Sequence, residues 1–125
     1  MPIVLVVASM MSLSFNSSVL SAPLAQAVIS PQDVWMSKLH NCENVDNIPK
    51  IIDSNDYYSY GKYEYQMATW LKYSKLFGTT KENISDDALQ DTVTRYILDN
   101  GGWRNWLICG GRVAKRLGAY PASSV

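Results

Sequence analysis

The sequence predicts a small, mainly α-helical domain with one long loop between its first and second helices. Three observations indicate this: a helix-start signal at Ser30-Pro31, apolar residues that recur with helical spacing in later segments, and an irregular stretch over residues 45–60. The 125 residues are enough for one domain and not two. Eleven basic residues balance eleven acidic ones, so the net charge indicates neither nucleic acid nor an anionic membrane surface as a partner.

The first 27 residues differ from the rest and predict an export signal. The apolar run IVLVVASMMSLSF is followed by a Ser-rich spacer and by Ala25-Gln26-Ala27, which has the small-x-small form of a signal-peptidase site. The run is shorter than the roughly 20 apolar residues that span a membrane. No Lys or Arg precedes Lys38, so the usual basic start of such a signal is absent. We expect residues 1–27 to be a signal peptide and residues 28–125 to be a secreted or cell-envelope domain. The alternative is an apolar N-terminal segment that is buried or frayed.

The first helix is predicted from Ser30, which has the residue type of an N-cap, and Pro31 suits the first helical position. Its apolar stripe contains Trp35, Leu39 and Cys42 at helical spacing. The following loop, over residues 45–60, has little periodicity, and we expect a short extended piece around residues 50–52.

Three further helices are predicted. The segment MATWLKYSKLFG indicates a second helix that ends at Gly78. A third is expected from about Ser85, as its cap, to Asn100, with a core stripe that includes Val93 and Ile97. A short fourth helix, WRNWLIC, is expected to end before Gly110-Gly111 and a basic tail with Arg112, Lys115 and Arg116. We favour a solvated tail; the alternative is that these cations attract the anionic glycan and peptide stems of a cell wall.

The stretch HNCEN, residues 40–44, allows a thiol nucleophile with its base, a metal site, or a disulfide beside an acid. On a helix, side chains two residues apart point to different faces, and His40 is the only histidine, so a Cys-His nucleophile is disfavoured. A structural zinc site needs about four ligands at spacings that this chain lacks, and we expect no metal or other cofactor. Two cysteines, Cys42 and Cys109, in a small exported domain indicate a disulfide.

Glu43 is then the acid of interest. A carboxyl at a helix end that faces an apolar stripe is desolvated, and desolvation raises its pKa. A carboxyl that acts as a general acid at neutral pH needs such a raised pKa. A solvated Glu near a helix terminus is the alternative, and the local sequence by itself favours it.

Several motifs occur in a definite order over residues 34–113: Cys42-Glu43, YGKYEYQMATW, LQDTVTRYILDNGG and WLICGG. In this order and spacing the chain resembles the small lysozyme-like lytic transglycosylase domains, and most closely the resuscitation-promoting-factor and bacterial transglycosylase-like group. In that group a Cys directly precedes the catalytic Glu and pairs with a Cys in a C-terminal Trp-x-x-Cys-Gly element. The resemblance implies a lysozyme-like fold, α+β but leaning to all-α, with a Cys42–Cys109 bridge.

The resemblance also implies a reaction. Glu43 would act as acid and then as base in cleaving the glycosidic bond between N-acetylmuramic acid and N-acetylglucosamine of peptidoglycan, giving a 1,6-anhydro product without water. The family pattern Gly-x-x-Gln-Phe-x-x-x-Thr-Trp is echoed at residues 61–70. Thr69 would hydrogen-bond the substrate near the cleaved bond. The expected groove residues are Tyr60, Tyr65, Gln66, Trp70 and Trp103, although each aromatic ring could instead belong to the core, and partial burial is favoured for Trp70.

Two departures from the family pattern leave alternatives open. Asn44-Val45-Asp46 follows Glu43 where the family has Ser-Gly-Gly or similar, and Glu64 stands where the family has its groove Gln. A Glu64 that faced the cleft would add a second carboxylate, and two carboxyls about 6.5–9.5 Å apart would permit inverting hydrolysis. We favour a Glu64 that points outward as a surface charge.

Rival interpretations are a wall-binding module with weak chemistry and a disulfide-linked helical protein that binds no glycan. The expected partners are peptidoglycan strands and other wall-remodelling proteins, with neither nucleic acid nor a membrane span.

Overall fold

A computed structural model describes residues 29–52 and 55–122, so the predicted signal peptide lies outside the described residues. The domain is mainly α-helical with a small antiparallel sheet, as the sequence predicted. In chain order its elements are α1 (Pro31–Asn44), β1 (Lys50–Ile52), β2 (Tyr58–Tyr60), α2 (Met67–Leu71), α3 (Ser74–Phe77), α4 (Asp87–Asp99), a 3₁₀ turn (Trp103–Trp106) and α5 (Leu107–Leu117).

Helix α1 begins and packs as predicted. The Ser30 hydroxyl accepts a hydrogen bond from the Asp33 N–H at 3.1 Å, which satisfies one of the free amides of the first turn. Trp35 and Leu39 are buried in the core. At the other end of α1, the buried Asn44 side chain donates to the carbonyls of Ile48 and Gly61 at 2.7 and 2.8 Å. Asn44 therefore attaches the end of the helix to the loop that follows.

The long loop contains the extended piece that the sequence predicted. β1 pairs with β2 in an antiparallel ladder in which Ile51 lies opposite Ser59. A tight turn follows, closed by two backbone hydrogen bonds of 2.9 Å between Tyr60 and Tyr65. Gly61 in this turn has φ +70°, a conformation that favours glycine.

The second predicted helix is divided into two. The chain tightens after α2 because the Tyr73 N–H donates to the Trp70 carbonyl at 3.1 Å, a 3₁₀-type bond. The Thr79 hydroxyl donates to the same carbonyl at 2.7 Å. The predicted stop is confirmed, because Gly78 ends α3 in the left-handed conformation at φ 66°.

The cap predicted for the third helix is wrong by one residue. Asp86 caps α4, and its carboxylate accepts a hydrogen bond from the Leu89 N–H at 2.7 Å. The Ser85 hydroxyl instead donates to the Pro49 carbonyl at 3.0 Å, which fastens the start of α4 to the loop before β1. Asp and Ser are about equally good N-caps, so sequence preference could not separate the two neighbours.

The predicted end of the last helix is also wrong. Gly110-Gly111 lies inside α5, which continues to Leu117, so the expected basic tail is part of a helix. The reason is packing: a Cβ on Gly110 would lie 2.8 Å from the Trp103 carbonyl oxygen. Glycine at this position permits close contact between α5 and the 3₁₀ turn, and it does not end the helix.

The core lies between α1, α4 and α5 and is joined by the predicted disulfide. Cys42 and Cys109 form a bond with an S–S distance of 2.06 Å, which links α1 to α5. Gln90 of α4 is fully buried, and its side chain accepts a hydrogen bond from the Tyr63 N–H at 2.9 Å and donates to the Tyr60 carbonyl at 2.8 Å. Gln90 thereby holds the turn after β2 against the helices. Within the described part of the chain, no helix combines the length and apolar character needed to span a membrane.

Candidate active site

Glu43 lies near the end of α1 on the side of the helix that faces the core. It follows Leu39 by four residues and Met36 by seven, and both of those side chains are buried. Residues with this spacing share one helix face, so the Glu43 carboxyl is directed towards the protein and is half-buried. The hydrogen bonds of Asn44 hold this last turn of α1 in place.

Glu64 comes from the tight turn after β2 and does not point outward as we had favoured. Its side chain is half-buried, and its carboxyl forms a hydrogen bond with Glu43. The backbone of Glu64 has φ 53°, a left-handed conformation that non-glycine residues seldom adopt. The Glu64 N–H donates to the Gly61 carbonyl at 3.1 Å, and the buried Gln90 fixes the neighbouring residues. A stabilised turn therefore holds Glu64 against Glu43 at some backbone cost.

The contact with Glu64 and the burial of Glu43 change its protonation. Desolvation is the largest cause, and the negative charge and hydrogen bond of Glu64 add to it, so the pKa of Glu43 rises from 4.5 to about 8. At neutral pH the two carboxyls therefore hold one proton between them. A protonated carboxyl at neutral pH can donate a proton to a leaving group and afterwards accept one as a base.

The contact also limits which glycosidase geometry the pair can supply. An inverting pair is separated by about 6.5–9.5 Å to leave room for a water molecule, and a retaining pair by about 5–5.5 Å. Glu43 and Glu64 are hydrogen-bonded to each other and leave no such room. The arrangement does not support the inverting hydrolysis considered for these two residues.

A small cleft of about 180 Å³ lies beside the pair. It brings together four residues predicted for the site, Glu64, Tyr65, Gln66 and Thr69. Two further lining residues, Asn105 and Trp106, lie in the 3₁₀ turn and were not predicted from the sequence. Their segment, WRNW, places two polar residues between two Trp residues, a composition that could have indicated a cleft wall. The Trp106 indole donates to the Tyr63 carbonyl at 2.8 Å, so this wall is joined to the turn that carries Glu64.

Two of the predicted groove aromatics belong to the core. Trp70 is 0% exposed, and its indole N–H lies 3.0 Å from both the Thr80 carbonyl oxygen and the Asn83 Oδ1. Tyr65 borders the cleft but is only 3% exposed, and its hydroxyl hydrogen-bonds Thr94 at 2.8 Å. Trp70 therefore has no exposed surface with which to contact a substrate. Tyr65 borders the cleft, but nearly all of its side chain is packed in the core.

The other two predicted aromatics lie outside the cleft lining. Tyr60 is half-buried on β2, with its ring centre 6.4 Å from that of Tyr58. Trp103 is half-buried, and the Arg104 guanidinium lies 5.0 Å from its ring centre. Neither ring forms part of the cleft beside Glu64.

His40 and Cys42 do not form a catalytic pair. The Cys42 sulfur is bonded to Cys109, and the His40 Nε2 lies 2.8 Å from Asn47 Oδ1. Across residues 29–52 and 55–122, no three side chains of the types His, Cys, Asp and Glu are grouped so that they could hold a metal ion.

Comparison of the chain with protein-family models found no match. Comparisons with curated proteins and with solved structures also found none. The site must therefore be interpreted from its own geometry.

Proposed function

We propose that this protein cleaves the glycan strand of peptidoglycan between N-acetylmuramic acid and N-acetylglucosamine by a lytic transglycosylase mechanism. The observation that carries the proposal is the Glu43–Glu64 pair, which holds one proton at neutral pH beside a cleft. The resemblance of the motif order to lysozyme-like transglycosylases supports the choice of substrate. The disulfide supports an oxidising compartment outside the cytoplasm, where the cell wall is found.

The proposed reaction begins with a proton transfer from the pair to the glycosidic oxygen. The C1–O bond breaks, and the acetamido oxygen of the same muramic sugar forms a bond to C1. The ionised pair then takes the proton of the sugar's 6-hydroxyl. Its oxygen attacks C1 and displaces the acetamido oxygen, which closes the 1,6-anhydro ring and returns a proton to the pair. The pair therefore gives one proton to the leaving group and recovers another from the 6-hydroxyl, so it ends in its starting protonation state.

The two carboxyls have different roles in this scheme. Glu43 holds the proton because burial and the neighbouring Glu64 charge raise its pKa to about 8. Glu64 lines the cleft and is hydrogen-bonded to Glu43, so the proton can reach the substrate through the pair. Its negative charge also keeps Glu43 a strong enough base for the second step. Thr69, Gln66 and Asn105 place a hydroxyl and two amides in the cleft, which are suitable partners for sugar hydroxyl and acetamido groups.

The test is digestion of purified insoluble peptidoglycan by the oxidised protein, with the released sugar ends identified by mass. Glu43→Gln and Glu64→Gln are compared with Glu82→Gln, a matched change of an exposed glutamate. We expect 1,6-anhydro ends from the wild type and Glu82→Gln. Loss of the proton-transfer group should lower the rate of Glu43→Gln by about 10²- to 10⁴-fold. Release at the wild-type rate by Glu43→Gln, or reducing ends as the main product, would contradict the proposal.

The size of the cleft favours one alternative from another class. Sites for drug-sized ligands are about 300–1,000 Å³, and this cleft is about 180 Å³. A cleft of that size suits contact with one sugar ring better than enclosure of a strand, which would fit a wall-binding module. Sedimentation of the protein with insoluble wall, with no soluble fragments released by any form, would establish that alternative.

A further inference from the structure

A second concave surface lies between α1 and α5 and is much larger than the cleft. Its volume is about 820 Å³, and we call it the basic groove. Four of its eight lining residues are cations and none is acidic. The cations are Lys38 on α1 and Arg112, Lys115 and Arg116 on α5.

The positive charge of the basic groove is local and not neutralised by neighbouring acids. The whole chain has eleven basic and eleven acidic residues, so the groove does not reflect an overall excess. The two salt bridges found among residues 29–52 and 55–122 are Lys62–Asp91 and Asp33–Arg95, and neither includes a groove cation. Arg112 and Arg116 are exposed and one helical turn apart, a spacing at which like charges repel. An anionic ligand would relieve this repulsion.

The shape and lining of the basic groove indicate which anion it suits. The lining also includes Asn41 and three apolar residues, Cys42, Val113 and Leu117. No aromatic ring lines the groove, so it lacks the stacking platform on which proteins bind single-stranded nucleic acid. A concave channel between two helices fits a chain better than a flat bilayer. Guanidinium groups match the oxygen atoms of phosphate groups.

We propose that the basic groove binds a linear polyol-phosphate polymer, a phosphodiester chain without bases. This binding does not depend on the proposed cleavage activity. Cys42 contributes to the groove, whereas Glu43, the next residue, is rotated by about 100° around the helix and forms the carboxyl pair. The two sites therefore use different sides of α1. A polymer held in the groove would anchor the protein while the cleft remains free.

The test measures binding of a labelled poly(glycerol phosphate) by fluorescence anisotropy at about 50 and about 200 mM salt. Four phosphate contacts should give a salt slope near −2.8, which is about a 50-fold loss of affinity over that range. Arg112→Gln/Arg116→Gln retains two of the four cations and should lose only about sevenfold over the same range. The difference in affinity between this double variant and the wild type should therefore be larger at the lower salt concentration.

The control is Lys72→Gln/Lys75→Gln, which removes two exposed cations elsewhere and should bind like the wild type. Glu64→Gln should also bind like the wild type, because Glu64 is not part of the groove. An equal loss in the lysine control would overturn the proposal. So would equally tight binding of an oligonucleotide with the same number of phosphates, or tighter binding to vesicles of anionic phospholipid.

Discussion

Replacement of Glu43 by Gln is expected to stabilise the folded protein at alkaline pH. In the wild type the folded-state pKa of Glu43 is raised from 4.5 to about 8 by burial and by Glu64. Between these two values the folded state binds more protons than the unfolded state, so the free energy of unfolding falls as pH rises and levels off above about pH 8. Gln has no proton to lose, and the variant should lack this decline.

The magnitude follows from the pKa shift and the exposure of the side chain. At about 1.36 kcal/mol per pKa unit, the shift sets a ceiling of about 5 kcal/mol. Because Glu43 is only half-buried, water screens part of this penalty, and we expect about 2 kcal/mol. For a domain of about 100 residues, that difference corresponds to roughly 10 °C in Tm.

The assay is urea unfolding of the oxidised protein at about pH 5, pH 7 and pH 9. The range excludes more acidic solution because the hydrogen bond with Arg95 lowers the pKa of Asp33, whose contribution to stability is lost on acidification. It excludes more alkaline solution because burial raises the pKa of Tyr63 and of Tyr65. Glu82→Gln, with an exposed side chain, should keep the wild-type decline. If Glu43→Gln declined in parallel with the wild type, the burial and coupling assigned to Glu43 would be refuted.

Three other predictions concern the scaffold and use denaturant unfolding at neutral pH. Replacing Cys42 and Cys109 together by Ser opens a loop of 67 positions and should cost about 4 kcal/mol; a loss below about 1 kcal/mol would contradict this. Gln90→Met leaves three buried backbone groups without their partner and should cost about 3 kcal/mol or more; wild-type stability would show that the turn does not need Gln90. Gly61→Ala places a Cβ against the Gln90 amide at φ +70° and should cost about 2 kcal/mol. Gly111→Ala, where a Cβ inside α5 meets open space, should instead stabilise by about 0.5–1 kcal/mol.

Local signals in the sequence predicted the ends of helices correctly where a single residue determines where the helix begins or ends. Ser30-Pro31 begins α1 and Gly78 ends α3, because a side-chain cap and a left-handed glycine each act within one turn. The disulfide could be predicted because the chain has only two cysteines. Gly110 was predicted to end the last helix, but it lies inside α5 and permits close contact with Trp103. A local sequence pattern does not show such a tertiary contact.

The site was harder to predict because the orientation of its side chains depends on tertiary contacts. Glu64 lies in the turn after β2, and hydrogen bonds from Gln90, on a helix about 30 residues later, hold that turn. The burial of Trp70 likewise depends on a separate loop. The Thr80 carbonyl and the Asn83 side chain in that loop accept hydrogen bonds from the Trp70 indole N–H. Periodicity identified these residues as candidates but could not tell a cleft wall from a core position.

The proposed reaction depends on one proton that Glu43 and Glu64 hold between them at neutral pH. The most direct measurement is an NMR titration of the carboxyl carbons in protein labelled with ¹³C glutamate, with Glu64→Gln and Glu43→Gln used to assign the signals. We predict that the Glu43 carboxyl titrates near pH 8 in the wild type and at lower pH in Glu64→Gln, where the neighbouring charge is absent. Titration of Glu43 near its ordinary value of 4.5, unchanged by Glu64→Gln, would show that the pair does not hold this proton.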